Sequence, residues 1–336
     1  MRDCRNKFLV TLAVFTALLA FVACNSVKHP ASTATPKPIE IFETSQGFVI
    51  TEGKAKVMFY QRQHKSLKGK YSRANYIHPL YGLDGEILTE DFPADHLHHR
   101  GIFWAWHQVW LGDKRLGDSW AAKDFFWDVY DAKILTVDSQ SSALQVHVHW
   151  KSPLWTDANG KQKAFVNETT TIRVYRAQDD IRKVDFQISL LALEDNVRIG
   201  GSEDDKGYGG FTTRIRLPDG LSFTGSNGPV EPNTLSVEAG PWLDFSGKFR
   251  KDGKVSSLAI LCHNSLPGYP QRWILRRKAS AQNPVHPGRH PILLSREKPL
   301  LLRYRLIIHR GNVRHINLEK LQADYNSELL PVFDNR

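Results

Sequence analysis

The sequence predicts an all-β protein, built as one large antiparallel β-sandwich with a single helix near its C-terminus. Three observations support this prediction. Apolar and polar residues alternate with a period of two along several long runs, as expected for strands that bury one face. Pairs of turn-forming residues separate the runs. Apolar residues recur at helical spacing convincingly only after residue 316.

The first segment of the chain is a predicted secretion signal. Arg2 and Arg5 give it a basic start, and residues 8–22 are continuously apolar but shorter than a comfortable membrane span. This run ends in Ala23 before Cys24, an arrangement that resembles a bacterial lipobox. We therefore expect Cys24 to carry lipid and to begin the mature chain. An ordinary signal peptide or an uncleaved anchor is the alternative.

The remainder divides into a tether and one domain. Residues 24–38 are rich in Pro, Ser and Thr and cannot bury enough apolar surface to fold. With 1–23 as the signal peptide, residues 39–336 are expected to form a single sandwich domain, since no linker interrupts them. The predicted location is the periplasmic face of a bacterial membrane, which the protein contacts only through its lipid anchor.

The expected strands are read from alternation. It is clearest in four runs: residues 144–150, 184–190, 211–217 and 302–308. In each run the apolar set falls on one face and the polar set on the other. Antiparallel sheets with one covered face show this pattern, which predicts strands that pack on a shared core.

Turns and the helix complete the fold prediction. Asn159-Gly160 lies between two predicted strands and is expected to close a hairpin. Near the C-terminus, Asn317 is placed to cap a helix in which Leu318, Leu321 and Tyr325 recur at helical spacing.

The charge balance restricts the partners. The formal net charge is +10, and the densest basic run is Arg276 to Lys278. No long basic helix and no basic motif interleaved with aromatics is present, so nucleic acid is not an expected partner. A basic surface favours anionic ligands such as acidic sugars or phosphates. Cys262 alternates with apolar residues, which favours a core position over a nucleophilic one.

Residues 75–107 contain the densest group of titratable side chains, and they form the predicted functional site. Its members are His78, Glu90, Asp91, Asp95, His96, His98, His99, Arg100 and His107. A hydrophobic core prefers apolar side chains, so this density favours function over packing. Pro93 and Gly101 bracket the central histidines, which predicts a loop where the imidazoles converge.

General acid/base chemistry is the first interpretation of this loop. Histidine titrates near neutral pH, and an adjacent carboxylate can orient it. The predicted catalytic residues are His98, His99, Arg100 and Asp95, with Arg100 gripping a carboxylate or a sugar hydroxyl. The structural alternative is that Arg100 pairs with Asp91 or Asp95 and pins the loop. The predicted substrate-binding residues are His78, Asp91, Tyr81, Trp104, Glu168 and His263.

A divalent metal is the competing interpretation. His96 and His98 are the candidate ligands, with His78 or Glu168 as a more distant third. The segment lacks an established zinc spacing, so the cofactor remains open.

Several segments resemble the PmoA-like family of secreted bacterial proteins. They are residues 76–81, 91–101, 207–211, 241–246 and 262–264 followed by Trp273, within a resemblance that covers most of residues 50–310. The resemblance implies a β-sandwich of the galactose-mutarotase type in a setting of carbohydrate breakdown. The family is often named after a methane oxygenase, but this mature chain has no apolar run near the ~20 residues that a membrane span requires.

The expected function is therefore that of a lipid-anchored carbohydrate-processing enzyme. Epimerase, lyase and hydrolase chemistry all fit, because each moves protons beside a polarised carbon–oxygen group. The expected partner is a small-molecule or oligosaccharide ligand. A non-catalytic carbohydrate-binding lipoprotein is the alternative, and a copper-dependent oxygenase, as the family name suggests, is the third hypothesis.

Overall fold

The computed structural model of the chain describes residues 37–279 and 281–328. Over these residues the chain forms 23 strands, one 3-10 turn (η1) and one α-helix. In chain order they are β1 (Ile39–Glu43), β2 (Gly47–Glu52), β3 (Ala55–Gln61), β4 (Lys65–Leu67), β5 (Lys70–Arg73), β6 (Tyr76–Leu80), β7 (Ile102–Ala105), β8 (Gln108–Leu111), β9 (Lys114–Gly117), β10 (Phe126–Asp138), β11 (Ser141–Thr156), β12 (Gln162–Tyr175), β13 (Ile181–Ala192), β14 (Val197–Gly200), β15 (Gly210–Arg214), β16 (Asp219–Gly225), β17 (Gly228–Pro229), β18 (Trp242–Lys248), β19 (Ser256–Cys262), β20 (Trp273–Ile274), β21 (Ala281–Pro284), β22 (Ile292–Leu293), β23 (Leu300–Arg310), η1 (Val313–His315) and α1 (Leu318–Ser327).

Two large antiparallel sheets dominate the described part of the chain. One has eight strands in the order β1-β2-β3-β6-β7-β15-β21-β20, and the other has nine in the order β10-β11-β12-β13-β23-β19-β18-β16-β17. The remaining strands form two small sheets, β22-β14-β8-β9 and β4-β5. The described residues from Lys37 onward belong to one compact unit.

The two large sheets share one hydrophobic core. Trp104 of β7 lies with its ring centroid 6.3 Å from that of Phe186 on β13, in the opposite sheet. Phe186 in turn contacts Phe211 of β15 at 5.0 Å, and Phe211 stacks on Tyr304 of β23 at 4.5 Å. Aromatic rings that interdigitate between two sheets define a sandwich. The predicted all-β antiparallel fold is confirmed.

Alternation predicted most strands correctly but placed the end of one strand, in the run 211–217, too far along the chain. Residues 144–150 lie in β11 with Leu144 and Trp150 buried in the core, and the Asn159-Gly160 hairpin joins β11 to β12. The run 211–217 behaves differently, because β15 ends at Arg214. Beyond it the chain makes only an isolated bridge, and Leu217 is 54% exposed.

The predicted C-terminal helix is present as α1. Asn317 caps it by accepting a hydrogen bond from the backbone N–H of Lys320 at 2.9 Å. Leu318 and Tyr325 pack with Ile307 on the outer face of the nine-stranded sheet. The helix therefore covers a sheet face that would otherwise expose apolar residues.

The predicted signal peptide, Cys24 and all but the last two residues of the tether lie outside the described residues. Among those that the structure describes, no helix is long and apolar enough to cross a membrane.

The outer face of the eight-stranded sheet carries the candidate site. Along β7, Ile102 and Trp104 point into the sandwich, whereas Phe103 and Ala105 belong to a separate apolar cluster with Trp120 and other residues. Alternation along one strand thus supplies both the core and an apolar floor on the opposite face.

Candidate active site

A cavity of about 360 Å³ lies over this apolar floor, and four histidines line it. The lining residues are His96, His98, His99, His107, Trp120, Ala121, Lys206, Tyr208, Ile274, Arg276, Ala279, Ala281 and Asn283. They come from four separate stretches of the chain, around residues 96–99, 107–121, 206–208 and 274–283.

The loop between β6 and β7 brings three of the histidines together. The backbone N–H of His96 donates to the carbonyl of Pro93 at 3.1 Å, and that of His99 donates to the carbonyl of His96 at 2.9 Å. These two successive turns stack the rings of His96 and His99 at 4.7 Å and place His98 edge-on to His99 at 4.6 Å. The predicted convergence of the loop histidines is therefore observed.

Arg214 at the end of β15 clamps this loop. Its Nη2 donates to Asp95 at 2.7 Å and to Glu90 at 3.1 Å, and its Nη1 lies 3.4 Å from His99 Nδ1. Burial raises the pKa of Asp95, but the guanidinium outweighs that effect and the net pKa is lowered. Asp95 lies 3.7 Å from His96 Nδ1, beyond hydrogen-bond distance. It is therefore engaged by Arg214 and does not orient a histidine.

Arg100, a predicted catalytic residue, lies outside the cavity lining. Its side chain is fully buried and donates hydrogen bonds to Asp91 and to the Tyr76 hydroxyl. Its guanidinium carbon lies 3.6 Å from the ring centroid of Phe92, and Nη1 donates to the carbonyls of two residues in the β4–β5 hairpin. These contacts match the structural alternative, in which Arg100 pairs with Asp91 and pins the loop.

Other predicted binding residues also lie away from the cavity. His78 bonds through Nδ1 to the hydroxyl of Thr89 at 3.0 Å, and burial lowers the pKa of His78 to about 4. Tyr81 forms a bridge with Ile87 at the start of the loop. His263 packs edge-on against Tyr325 of α1, on the other side of the sandwich.

Glu168 and Trp104 form a buried polar group inside the core. The Glu168 carboxylate accepts hydrogen bonds from the indole N–H groups of Trp104 at 2.7 Å and Trp150 at 2.8 Å. The side chains of Asn75 and Thr170 add two more donors, at 2.8 and 2.7 Å. Burial raises the pKa of Glu168, and the four donors oppose that shift. This arrangement organises the core and leaves Glu168 no access to the cavity.

His107, which lines the cavity, is hydrogen-bonded to the carboxylate of Asp118. His107 Nδ1 lies 2.9 Å from Asp118 Oδ2, whereas the buried Nε2 of His107 has no hydrogen-bond partner in the described part of the chain. Burial raises the pKa of Asp118, but the hydrogen bond from His107 and the backbone N–H of Ala121 outweigh it, so the net pKa is lowered. An ionised carboxylate only accepts, so Nδ1 of His107 carries a proton and donates it to Asp118.

His98 and His99 are neutral imidazoles. Burial, and next the charge of nearby Arg73, lower the pKa of His98 to about 4. Burial, and next the neighbouring His98, lower the pKa of His99 to about 2. Because Arg214 is only a donor, the Nδ1 atom that faces it must accept, and the proton of His99 sits on Nε2.

Sequence reasoning assigned no role to several of the lining residues. Trp120 stacks on His107 with ring centroids 5.4 Å apart, and Tyr208 meets both rings edge-on. Two signals pointed this way: Tyr208 lies in the glycine-rich stretch 200–210, and Arg276 begins the densest basic run. The glycine-rich stretch predicts a loop near the site, but neither signal identifies which side chains reach the histidines, because those contacts depend on tertiary folding.

The predicted metal ligands, His96 and His98, lie in the cavity with their ring centroids 5.8 Å apart. Across the described ranges, no group of three or more His, Cys, Asp or Glu side chains is arranged to hold a metal ion. A divalent metal remains a prediction from the sequence.

The fold and the cavity together define an all-β sandwich protein with a histidine-lined cavity on the outer face of one sheet. Residues 48–323 match the model of a family of unknown function, DUF6807, and the chain belongs to this family. No curated protein matches the chain significantly. The resemblance to PmoA-like proteins remains a prediction.

Solved structures that align with the chain include two proteins of the mutarotase type. The galactose 1-epimerase from Lactobacillus acidophilus NCFM is 11% identical, with a TM-score of 0.37, over 83% of this chain and 99% of that chain. A candidate mutarotase from Salmonella typhimurium is 8% identical, with a TM-score of 0.34, over 84% of this chain and 96% of that chain. Likeness at this level concerns the arrangement of strands and carries no information on ligand or reaction.

Proposed function

We propose that the protein is a carbohydrate-processing enzyme in which the histidines of the cavity exchange protons with a sugar substrate. The observation that carries this proposal is the pair formed by His107 and Asp118, beside the neutral imidazoles of His98 and His99. Epimerases, lyases and hydrolases of sugars share one kind of step, in which a protein group removes a proton from, or donates one to, an oxygen or carbon atom of the sugar.

In this proposal His107 is the group that gains and loses a proton. Its Nδ1 is held by the Asp118 carboxylate, which stabilises the imidazolium once Nε2 has taken a proton. The buried Nε2 atom, unpartnered among the described residues, is the ring nitrogen left to exchange a proton. The same carboxylate fixes the ring orientation, so the proton acceptor is positioned before the substrate arrives.

His98 and His99 are assigned to substrate binding. A neutral imidazole offers one donor and one acceptor, and both suit a sugar hydroxyl. His99, whose Nδ1 faces Arg214, keeps its Nε2–H donor for the ligand. Trp120 and Tyr208 supply ring surface in the same cavity, and aromatic faces pack against the apolar faces of sugars. The combination of apolar faces with a few polar groups is typical of small-molecule sites.

The test is the pair of variants His107→Gln and Asp118→Asn, assayed on a panel of neutral and acidic oligosaccharides. We expect turnover to fall by about 10²–10⁴-fold with substrate affinity and melting temperature near those of the wild type. His149→Gln, on the nine-stranded sheet and outside this cavity, is the matched control and should retain activity. Unchanged turnover in both cavity variants would rule out the assigned role of His107.

The alternative function is a non-catalytic carbohydrate-binding protein. The contacts of His98, His99 and Trp120 suit such a role equally, and the His107–Asp118 pair favours catalysis over it. A wild-type protein that binds sugars from the panel and converts none of them would favour the binding role.

The proposed setting is the periplasmic face of a bacterial membrane, with Cys24 carrying the lipid. Support comes from the basic start, the apolar run and the small residue before Cys24.

A further inference from the structure

A second cavity adjoins the histidine cavity and has a different character. Its volume is about 480 Å³, and it shares Lys206 and Arg276 with the histidine cavity. Its other lining residues are Glu231, Pro232, Asn233, Thr234, Leu275, Arg277 and Lys278. We call it the cationic groove. Among the described residues no aromatic ring lines it, in contrast to the aromatic walls of the first cavity.

Positive charge in the cationic groove exceeds the carboxylates available to neutralise it. Lys206 pairs with Asp204 at 3.1 Å, and Arg277 pairs with Glu231 at 2.8 Å. The two remaining cations, Arg276 and Lys278, form no ion pair with any carboxylate of the described chain. Two cations are therefore left without a partner charge.

Arg276 stands at the junction of the two cavities. Its guanidinium donates to the backbone carbonyls of Asn233 at 2.7 Å, Leu275 at 2.8 Å and Thr234 at 2.9 Å, and none of these neutral partners forms an ion pair with it. Burial lowers the pKa of Arg276, and the nearby Tyr208 and Asp204 oppose that shift only in part. An anionic group at the junction would oppose that shift further.

We infer that the substrate is an acidic oligosaccharide that spans both cavities. Its reacting sugar lies among the histidines and aromatic rings, and a carboxylate-bearing sugar occupies the cationic groove between Arg276 and Lys278. A carboxylate suits these cations because a guanidinium binds it through paired hydrogen bonds. This inference rests on the proposed function and adds the substrate class and the cavity that holds the charged sugar.

The experiment compares oligosaccharides of galacturonate, mannuronate and glucuronate, each as the free acid and as its methyl ester. Esterification removes the charge and keeps the sugar. We expect at least one free acid to bind about tenfold more tightly than its ester at low salt, as two exposed charge pairs would give. The preference should shrink at high salt, because exposed charges are screened.

Lys278→Gln is the variant that tests the cationic groove. Lys278 is exposed and has no ion pair to lose, so the fold should be unaffected. We expect its affinity for the free acid to fall about threefold, with that for the ester unchanged. Lys161→Gln, an exposed lysine at the β11–β12 hairpin, is the matched control and should change neither.

The possible outcomes separate the two proposals. Equal binding of every acid and its ester, with turnover still dependent on His107, overturns the acidic substrate and leaves the proposed function standing. A preference for the acid without any turnover supports the groove and overturns the enzymatic role. Failure of all these oligosaccharides to bind overturns the acidic substrate, and turnover of the neutral oligosaccharides then decides the proposed function. A Lys278→Gln variant that binds as Lys161→Gln does overturns the groove assignment alone.

Discussion

Protonation of His99 should lower the stability of this fold at acid pH. The side chain is 5% exposed, and its environment lowers the pKa to about 2. In the unfolded chain the same histidine titrates near a pKa of about 6.5. Below about pH 6.5 the histidine binds a proton in the unfolded state but not in the folded state. The contribution of neutral His99 to the free energy of unfolding is therefore complete above about pH 6.5 and is lost as the pH falls.

The size of the effect follows from the interval between the two pH values. Between about pH 6.5 and about pH 5, one histidine that stays neutral only when folded costs about 2 kcal/mol, since each pH unit corresponds to about 1.4 kcal/mol. This is a large share of the stability of a typical domain, which amounts to about 5–15 kcal/mol.

The assay is urea denaturation of the wild type and His99→Asn at about pH 7.5 and about pH 5. Asparagine places an acceptor oxygen near the position of Nδ1, so the contact with Arg214 is retained while titration is lost. We expect the wild type to lose about 2 kcal/mol more than the variant on acidification. The exposed His290 provides the control variant His290→Asn, which should behave as the wild type does.

Equal losses for the wild type and His99→Asn would refute this reasoning. That result would mean that His99 accepts a proton in the folded state at about pH 5. The cavity would then hold a charged imidazole there, and the assignment of His99 as a neutral partner for sugar hydroxyls would fail.

Three further predictions concern other parts of the chain. Glu168→Ala should lower the free energy of unfolding by about 3–5 kcal/mol in urea denaturation, because four buried donors lose their acceptor. Gly101→Ala should lower the melting temperature, since its φ is +51° and an added Cβ would lie 2.0 Å from the carbonyl oxygen of Ile77. Cys24→Ser should move the protein from the membrane to the soluble fraction, and persistence in the membrane would contradict the proposed lipid anchor.

The fold was largely predictable because one buried face per strand leaves a clear trace in the sequence. Period two identified β11, β13 and β23, and Asn159-Gly160 identified a hairpin. The alternation of residues 211–217 misled at its end, where Leu217 is apolar but exposed. A periodic pattern indicates which face of a strand each side chain would occupy. It does not indicate where the strand ends, because strand pairing depends on neighbouring strands that are distant in the sequence.

The site was predictable in part, for a physical reason that separates its two arginines. A dense run of titratable groups identified the histidine loop, and His96, His98 and His99 do line the cavity. Arg100 and Arg214 are indistinguishable in the sequence as partners for carboxylates, yet only Arg214 contacts a cavity histidine. Likewise His107 acquires its role from Asp118, across the β8–β9 hairpin. Such pairings are products of tertiary contact.

The two arginines that clamp the histidine loop have a consequence for ligand recognition. The bond between Arg100 and Asp91 ties the two ends of residues 91–100 together. Arg214 holds the same segment through Glu90, which precedes it, and through Asp95 within it. A segment already held in one conformation has little freedom left to lose when a ligand arrives, so association should proceed without a slow ordering step. Within Pro93–His98 only Asp95 takes part in these bonds. Substitutions at the other positions of this stretch could therefore alter the preferred sugar while the loop keeps its shape.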